Sequence, residues 1–162
     1  MNAKAALSQV VELGSMVMHA YVDDLTDAEL MVRSVPGTNH IAWQLGHLIV
    51  ATQHMIAELG QPAPKLPDGF AEAYTAETAA LDDGTRFASK AKYLELADQM
   101  KAAAIRAIQA TPDSVLDQPG PESMRAYAPT MGAVLALLGG HWLMHIGQFV
   151  PIRRRLGKPH LF

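Results

Sequence analysis

The chain has no cysteine. Disulfides, thiolate metal ligands and a cysteine nucleophile are therefore excluded together, and a reducing compartment fits. Charge is also scarce, at 18% of 162 residues, with a net charge of −3. The sequence pI is near 6.1. Without a basic excess the chain lacks the electrostatic footprint of a protein that grips a phosphate backbone, so no nucleic-acid partner is expected. Aromatic residues are few, at 6%, yet 49% of the chain is hydrophobic. That balance argues for an ordered globular fold of one domain over residues 1–162.

The scarcity of charge is uneven. Residues 34–57 and 126–152 contain no Asp, Glu, Lys or Arg. Either run is long enough to span a bilayer, which takes about 20 predominantly apolar residues. Both carry polar side chains throughout, however: His40, Gln44, His47, Gln53 and His54 in the first, His141, His145 and Gln148 in the second. Two central helices of a soluble bundle explain this better than two membrane spans. The N-terminal MNAKAALSQVVELG is broken by Ser8, Gln9 and Glu12 and has neither the apolar core nor the cleavage site of a signal peptide. A cytoplasmic protein is expected.

Helical periodicity dominates, and no alternating strand pattern emerges. A first helix is predicted over residues 3–21. TDAE at 26–29 reads as a capping box opening a short second helix, stopped by Pro36 and Gly37. The next long helix opens at Thr38 or Asn39 and ends at Gly60. Residues 61–70, with three prolines, read as loop. Another helix is predicted over 89–110, then a polar connection with four prolines, then a last helix over 130–156. Pro151 lies inside that last helix and should kink it near 147–151. The expected fold is all-α, a four-helix bundle with long connections.

HWLMHIGQ, residues 141–148, places two imidazoles in the most apolar part of the chain. Four residues apart on a helix, His141 and His145 share one face and can bind one cation. The competing reading is a pair of satisfied core histidines. A third ligand could come from His40, His47 or His54, whose seven-residue spacing keeps them within about 40° around their helix. Neighbours in that series are about 10.5 Å apart along the axis, so only one can join the pair. His47 is the central one and His54 its rival, as a ligand or a pocket residue. Gln44 and Gln148 could line the same pocket or make packing hydrogen bonds. Trp43 and Trp142 read as core or pocket wall, the nine methionines as core filler. Gly46, Gly139, Gly140 and Gly147 would permit close helix approach. Arg153, Arg154 and Arg155 read as a solvated helix end favoured by the dipole.

AWQLGHL at 42–48 and HWLMHIGQ followed by RRRLGKP resemble the two signature segments of the DinB-like (DinB/YfiT) metalloprotein superfamily. LTDAEL and VPGTN upstream resemble the approach to that family's second helix. The resemblance implies a four-helix bundle, commonly a homodimer, with a divalent metal held by His47, His141 and His145. Trp142 and Pro151 depart from the common pattern without replacing a ligand. Three neutral imidazoles leave at least one coordination position open, and imidazole suits zinc, nickel and iron alike. The resemblance further implies a metal-dependent enzyme that activates a low-molecular-weight thiol or water against a small-molecule substrate, as an S-transferase, isomerase or hydrolase-like protein. The alternative is a non-catalytic metal- or ligand-binding module of the stress response, acting as a dimer.

Overall fold

A computed structural model describes residues 2–161. Four long helices form where the hydrophobic periodicity requires them: α1 (Ala3–Val22), α3 (Ile41–Glu58), α4 (Lys90–Ala110) and α5 (Met131–Ile146). The short helices α2 (Asp27–Leu30) and α6 (Phe149–Arg155) follow α1 and α5. Polar side chains at the starts satisfy backbone N–H groups that no helical carbonyl can reach. Asn2 accepts from Ala5, Ser89 from Lys92 and Thr130 from Ala133, while Thr26 and Glu29 complete the capping box of α2. The start of α3 differs from expectation. Neither Thr38 nor Asn39 caps it; the Nδ1 of His40 accepts from the Trp43 N–H at 2.9 Å. Gly60, with φ of 69°, terminates that helix as anticipated.

Helix α1 packs against α4 and α5, and α3 packs against the same two, closing a ring of four. One end of the interior holds Met18, Leu45, Ile49, Tyr93, Met100 and Phe149. The other holds Val11, Ile56, Ala104, Ile108, Val134 and Leu138. Of the glycines expected to bring helices together, Gly139 does so between α1 and α5, where a Cβ would lie 2.9 Å from the Val10 and Val11 backbone. Gly140 has nothing within 4 Å of that position. Met131–Arg155 is, among the described residues, the stretch long and apolar enough to cross a membrane by length and composition. In the bundle it buries Val134, Leu135, Leu138, Trp142 and Ile146.

The last helix is interrupted where the kink was expected, at Gly147 and Gln148, whose backbone stays in the right-handed helical region. The Gly147 N–H still reaches Leu143, but the Gln148 N–H bonds His145, three residues back, at 2.8 Å. Pro151 offers no N–H to the Gly147 carbonyl, and the helix restarts as α6. The arginines beyond it are not all solvated. Arg153 is 2% exposed, donates Nη2 to Asp24 at 3.1 Å and Nη1 to the Tyr21 carbonyl at 2.8 Å, and lies over the Tyr21 ring. This pairing holds the Asp24 carboxyl below its ordinary pKa and clips α6 to the end of α1.

In the connection between α3 and α4, residues 61–70 are loop as expected, and an ordered stretch without a predicted element follows. It contains 3-10 turns at Ala71–Tyr74, Glu77–Ala80 and Gly84–Arg86. Arg33 ties it down through Asp82 and the carbonyls of Ala79 and Leu81. The Tyr74 and Tyr93 hydroxyls meet at 2.7 Å, and both accept from the Ala88 N–H. The Tyr74 ring lies directly on Gly46, where a Cβ would come within 2.1 Å of it. Gly46 thus admits a ring from this strap, not a neighbouring helix.

Candidate metal centre

His141 and His145 lie one turn apart near the end of α5, and His47 faces them from the middle of α3. One ring nitrogen from each residue lies within 4.8 Å of the others. The ring centroids are separated by 5.2 Å (His47–His141), 5.1 Å (His47–His145) and 4.8 Å (His141–His145). His40 and His54 lie outside the group. Both nitrogens of His40 are committed, Nδ1 to the cap and Nε2 to the Leu81 carbonyl at 3.1 Å. His54 is exposed on α3, 3.7 Å from Glu58.

Two buried neighbours on α3 hold the trio. Gln44, wholly buried, donates through Nε2 to the Asn39 carbonyl at 2.9 Å. Its Oε1 is then left as the acceptor for His145 Nδ1 at 3.0 Å. This network assigns the proton to Nδ1 and leaves the Nε2 lone pair of His145 free. Trp43 stacks its ring on His47, 4.9 Å between centroids and 8° between planes. The indole is pinned in turn, donating Nε1 to the Thr75 carbonyl and the Thr78 hydroxyl. The strap between α3 and α4 therefore fixes the orientation of His47 through Trp43.

The electrostatics favour neutral rings. Burial lowers the pKa of all three; it brings His141 and His145 to about 4, with the neighbouring histidines pushing the same way. At pH 7 each ring offers a lone pair rather than a charge. Among the described residues no carboxylate joins the group, so the donor set is all nitrogen, which suits zinc, nickel or iron. A tetrahedral ion bonded to nitrogen at about 2.0–2.1 Å needs its ligand atoms about 3.3 Å apart, within reach of small ring rotations. The residues fit a divalent transition metal with at least one position open.

His47 and His141, but not His145, border a cleft of about 520 Å³, lined also by Ala51, Met55, Met124, Tyr127, Leu137 and Met144, with His54 at its edge. Three residues considered as pocket wall stand elsewhere. Trp142 points into the bundle, donating Nε1 to the Thr52 hydroxyl at 2.9 Å, because it is rotated about 100° from His141 on the helix. Gln148 is exposed at the break between α5 and α6. Gln44 sits behind His145 as its hydrogen-bond acceptor. Conversely, Met124 and Tyr127 come from the proline-rich connection before α5; Met124 is the core filler expected of the methionines, whereas Tyr127 is expected only as part of a polar loop. Their signal was an apolar pair, three residues apart, among polar neighbours.

A sequence model of the DinB superfamily matches residues 11–149. No curated protein matches in a sequence search. Among solved structures, a conserved protein from Enterococcus faecalis superposes with a TM-score of 0.72 at 14% identity, covering 98% of this chain and 99% of its own. At that identity the likeness concerns the fold alone.

Proposed function

The chain belongs to the DinB superfamily, and from that premise we propose that His47, His141 and His145 hold a divalent transition metal for a metal-dependent reaction on a small molecule. The observation that carries this reading is the convergence of three neutral ring nitrogens from two helices. Such an ion supplies an open coordination position that lowers the pKa of a bound water or holds a thiol as thiolate. The chain itself contributes the rest. Gln44 keeps the His145 proton on Nδ1. Trp43 holds the His47 ring plane. The cleft gives a second reactant access to the same side of the rings. An S-transferase or isomerase type of reaction, with a low-molecular-weight thiol attacking an electrophilic carbon, is the activity that this arrangement favours.

We extend the same proposal to a cytoplasmic homodimer. Leu13 and Met16, 45% and 55% exposed on α1, supply apolar surface that a second copy would cover; a monomer in sedimentation would remove that part of the reading. The metal is tested on protein purified without an affinity tag, by elemental analysis of the wild type and of His141→Ala. About one equivalent of transition metal in the first and none in the second is expected. Equal metal content in both would sink the assignment. Turnover is then tested with metal-loaded protein, a cellular thiol and a haloarene or epoxide.

A further inference from the structure

We propose that the cleft beside His47 and His141 receives an uncharged, hydrocarbon-rich group, the aryl or alkyl body of the electrophilic substrate, and that its protein wall by itself discriminates against anions. Its relevance to catalysis rests on the metal reading above, but its recognition chemistry does not. A cavity of about 520 Å³ falls in the range that encloses small organic ligands. Its inner wall is Met55 and Met124, 3% and 2% exposed, joined by Leu137 from α5. Tyr127 and Met144, 64% and 62% exposed, stand as large apolar side chains around the opening. Unbranched thioethers adapt their shape and make favourable contacts with aromatic rings, so this wall suits a flat apolar body.

The charges point the same way. No Asp, Glu, Lys or Arg lines the cleft. Outside the trio its titratable lining groups are the exposed His54, with Glu58 beside it, and the Tyr127 phenol. With no metal bound, an anion entering the interior would lose hydration against methionine and leucine without a paired cation, which is costly. A bound divalent ion would itself supply that cation, so the preference of the wall is read in the metal-free chain. The molecule's other concavities differ. One beside Tyr21 is lined by Arg153, Arg154, Lys158 and His160, and another by Lys65, Asp68, Lys92 and Glu95. A carboxylate-bearing thiol would therefore keep its charged groups outside the cleft, leaving the apolar wall to its reaction partner.

Two fluorescent probes with one ring skeleton test this: neutral N-phenyl-1-naphthylamine and its sulfonated counterpart, 8-anilino-1-naphthalenesulfonate. Binding is titrated on the full chain, zinc-loaded and metal-free. The neutral probe is expected to bind at least about 10-fold more tightly to the metal-free chain, where the comparison is judged, because bound zinc would attract the sulfonate and narrow the gap. Met144→Glu and Tyr127→Ala alter exposed side chains, so the fold should survive. Each should weaken the neutral probe about 5- to 10-fold with zinc content unchanged. Equal or tighter binding of the sulfonate, or a neutral-probe affinity indifferent to both variants, overturns the proposal while leaving the metal reading intact if zinc still binds. If zinc fails to bind but the neutral probe retains its preference and its response to both variants, the metal reading falls and the apolar ligand site stands.

Discussion

Helix α3 carries His40 at its start and His47 two turns later, and the same side chain has two different fates. At His40 both ring nitrogens end on the protein, one capping the helix and the other bound to the Leu81 carbonyl. At His47 the ring is held by stacking on Trp43 and faces two further imidazoles. Burial lowers the pKa of both, and His40 is the deeper of the two, so neutrality does not separate them and depth does not mark the ligand. The difference lies in where the lone pairs go. A buried histidine with both nitrogens hydrogen-bonded is a structural part, whereas three that converge without a carboxylate form a donor set.

The largest expected effect breaks this pair apart. His47→Ala should lower metal affinity by more than about 100-fold, because loss of a ligand must exceed the 10–100-fold cost of losing a ligand's own hydrogen-bond partner. Its effect on folding should be modest. His40→Ala should do the reverse, keeping metal while costing about 1–2 kcal/mol of stability, since it removes the cap of α3; the Leu81 carbonyl keeps its bond from Arg33. Elemental analysis and urea unfolding of both variants provide the check. Loss of metal from His40→Ala with folding intact would contradict the distinction.

Gln44→Ala sharpens the comparison at the trio. The three ligands remain, but His145 loses the acceptor that sets its tautomer. Metal affinity should fall about 10–100-fold, read by competition with a chelator. Gln44→Glu keeps an acceptor for His145 and loses the donor to Asn39, so it should recover part of that loss. Failure of both variants to change affinity would reduce Gln44 to a packing residue.

A smaller effect concerns acid. In the metal-free chain, His141 and His145 titrate near 4 when folded, against about 6.5 when unfolded. Between those values the unfolded chain binds more protons, so acidification favours unfolding. The stability linked to these rings is complete above pH 6.5 and is lost as pH falls through 4. Melting temperature should drop by a few degrees from pH 7 to pH 5, and the double variant His141→Ala with His145→Ala should flatten that profile. An unchanged slope would assign the acid response to other groups, His40 first among them.

Much of the fold was legible because helices announce themselves at their ends. Thr26, Ser89 and Thr130 cap as short polar side chains do, and Gly60 stops α3 at a positive φ. The pairing of His141 with His145 followed from helical spacing alone, and His47 from its central place in the heptad series together with the DinB resemblance. What escaped depended on tertiary contact. The place of His40 near the helix end marks it as a wet or hydrogen-bonded histidine rather than a ligand, which its two bonds bear out; that its ring caps the helix in place of Thr38 or Asn39 has no local signal. The turns at residues 71–86 carried no signal of their own because Arg33, far from them in sequence, orders them. Arg153 resembled a solvated charge because its partner Asp24 lies on the other side of the molecule's chain order.

The smallest effect tests the inward and outward sides of α5 at its end. His145 and Gln148 are three residues apart, a spacing that would keep them on one face of an unbroken helix. The break at Gly147 separates them, leaving Gln148 exposed beside the Pro151-bearing segment while His145 faces His47. Gln148→Ala should therefore change stability by less than about 0.5 kcal/mol, as ordinary surface substitutions do, and leave metal affinity and neutral-probe binding where they were. A loss of metal from this variant would mean that α5 continues past Gly147 in solution and brings Gln148 back onto the histidine face.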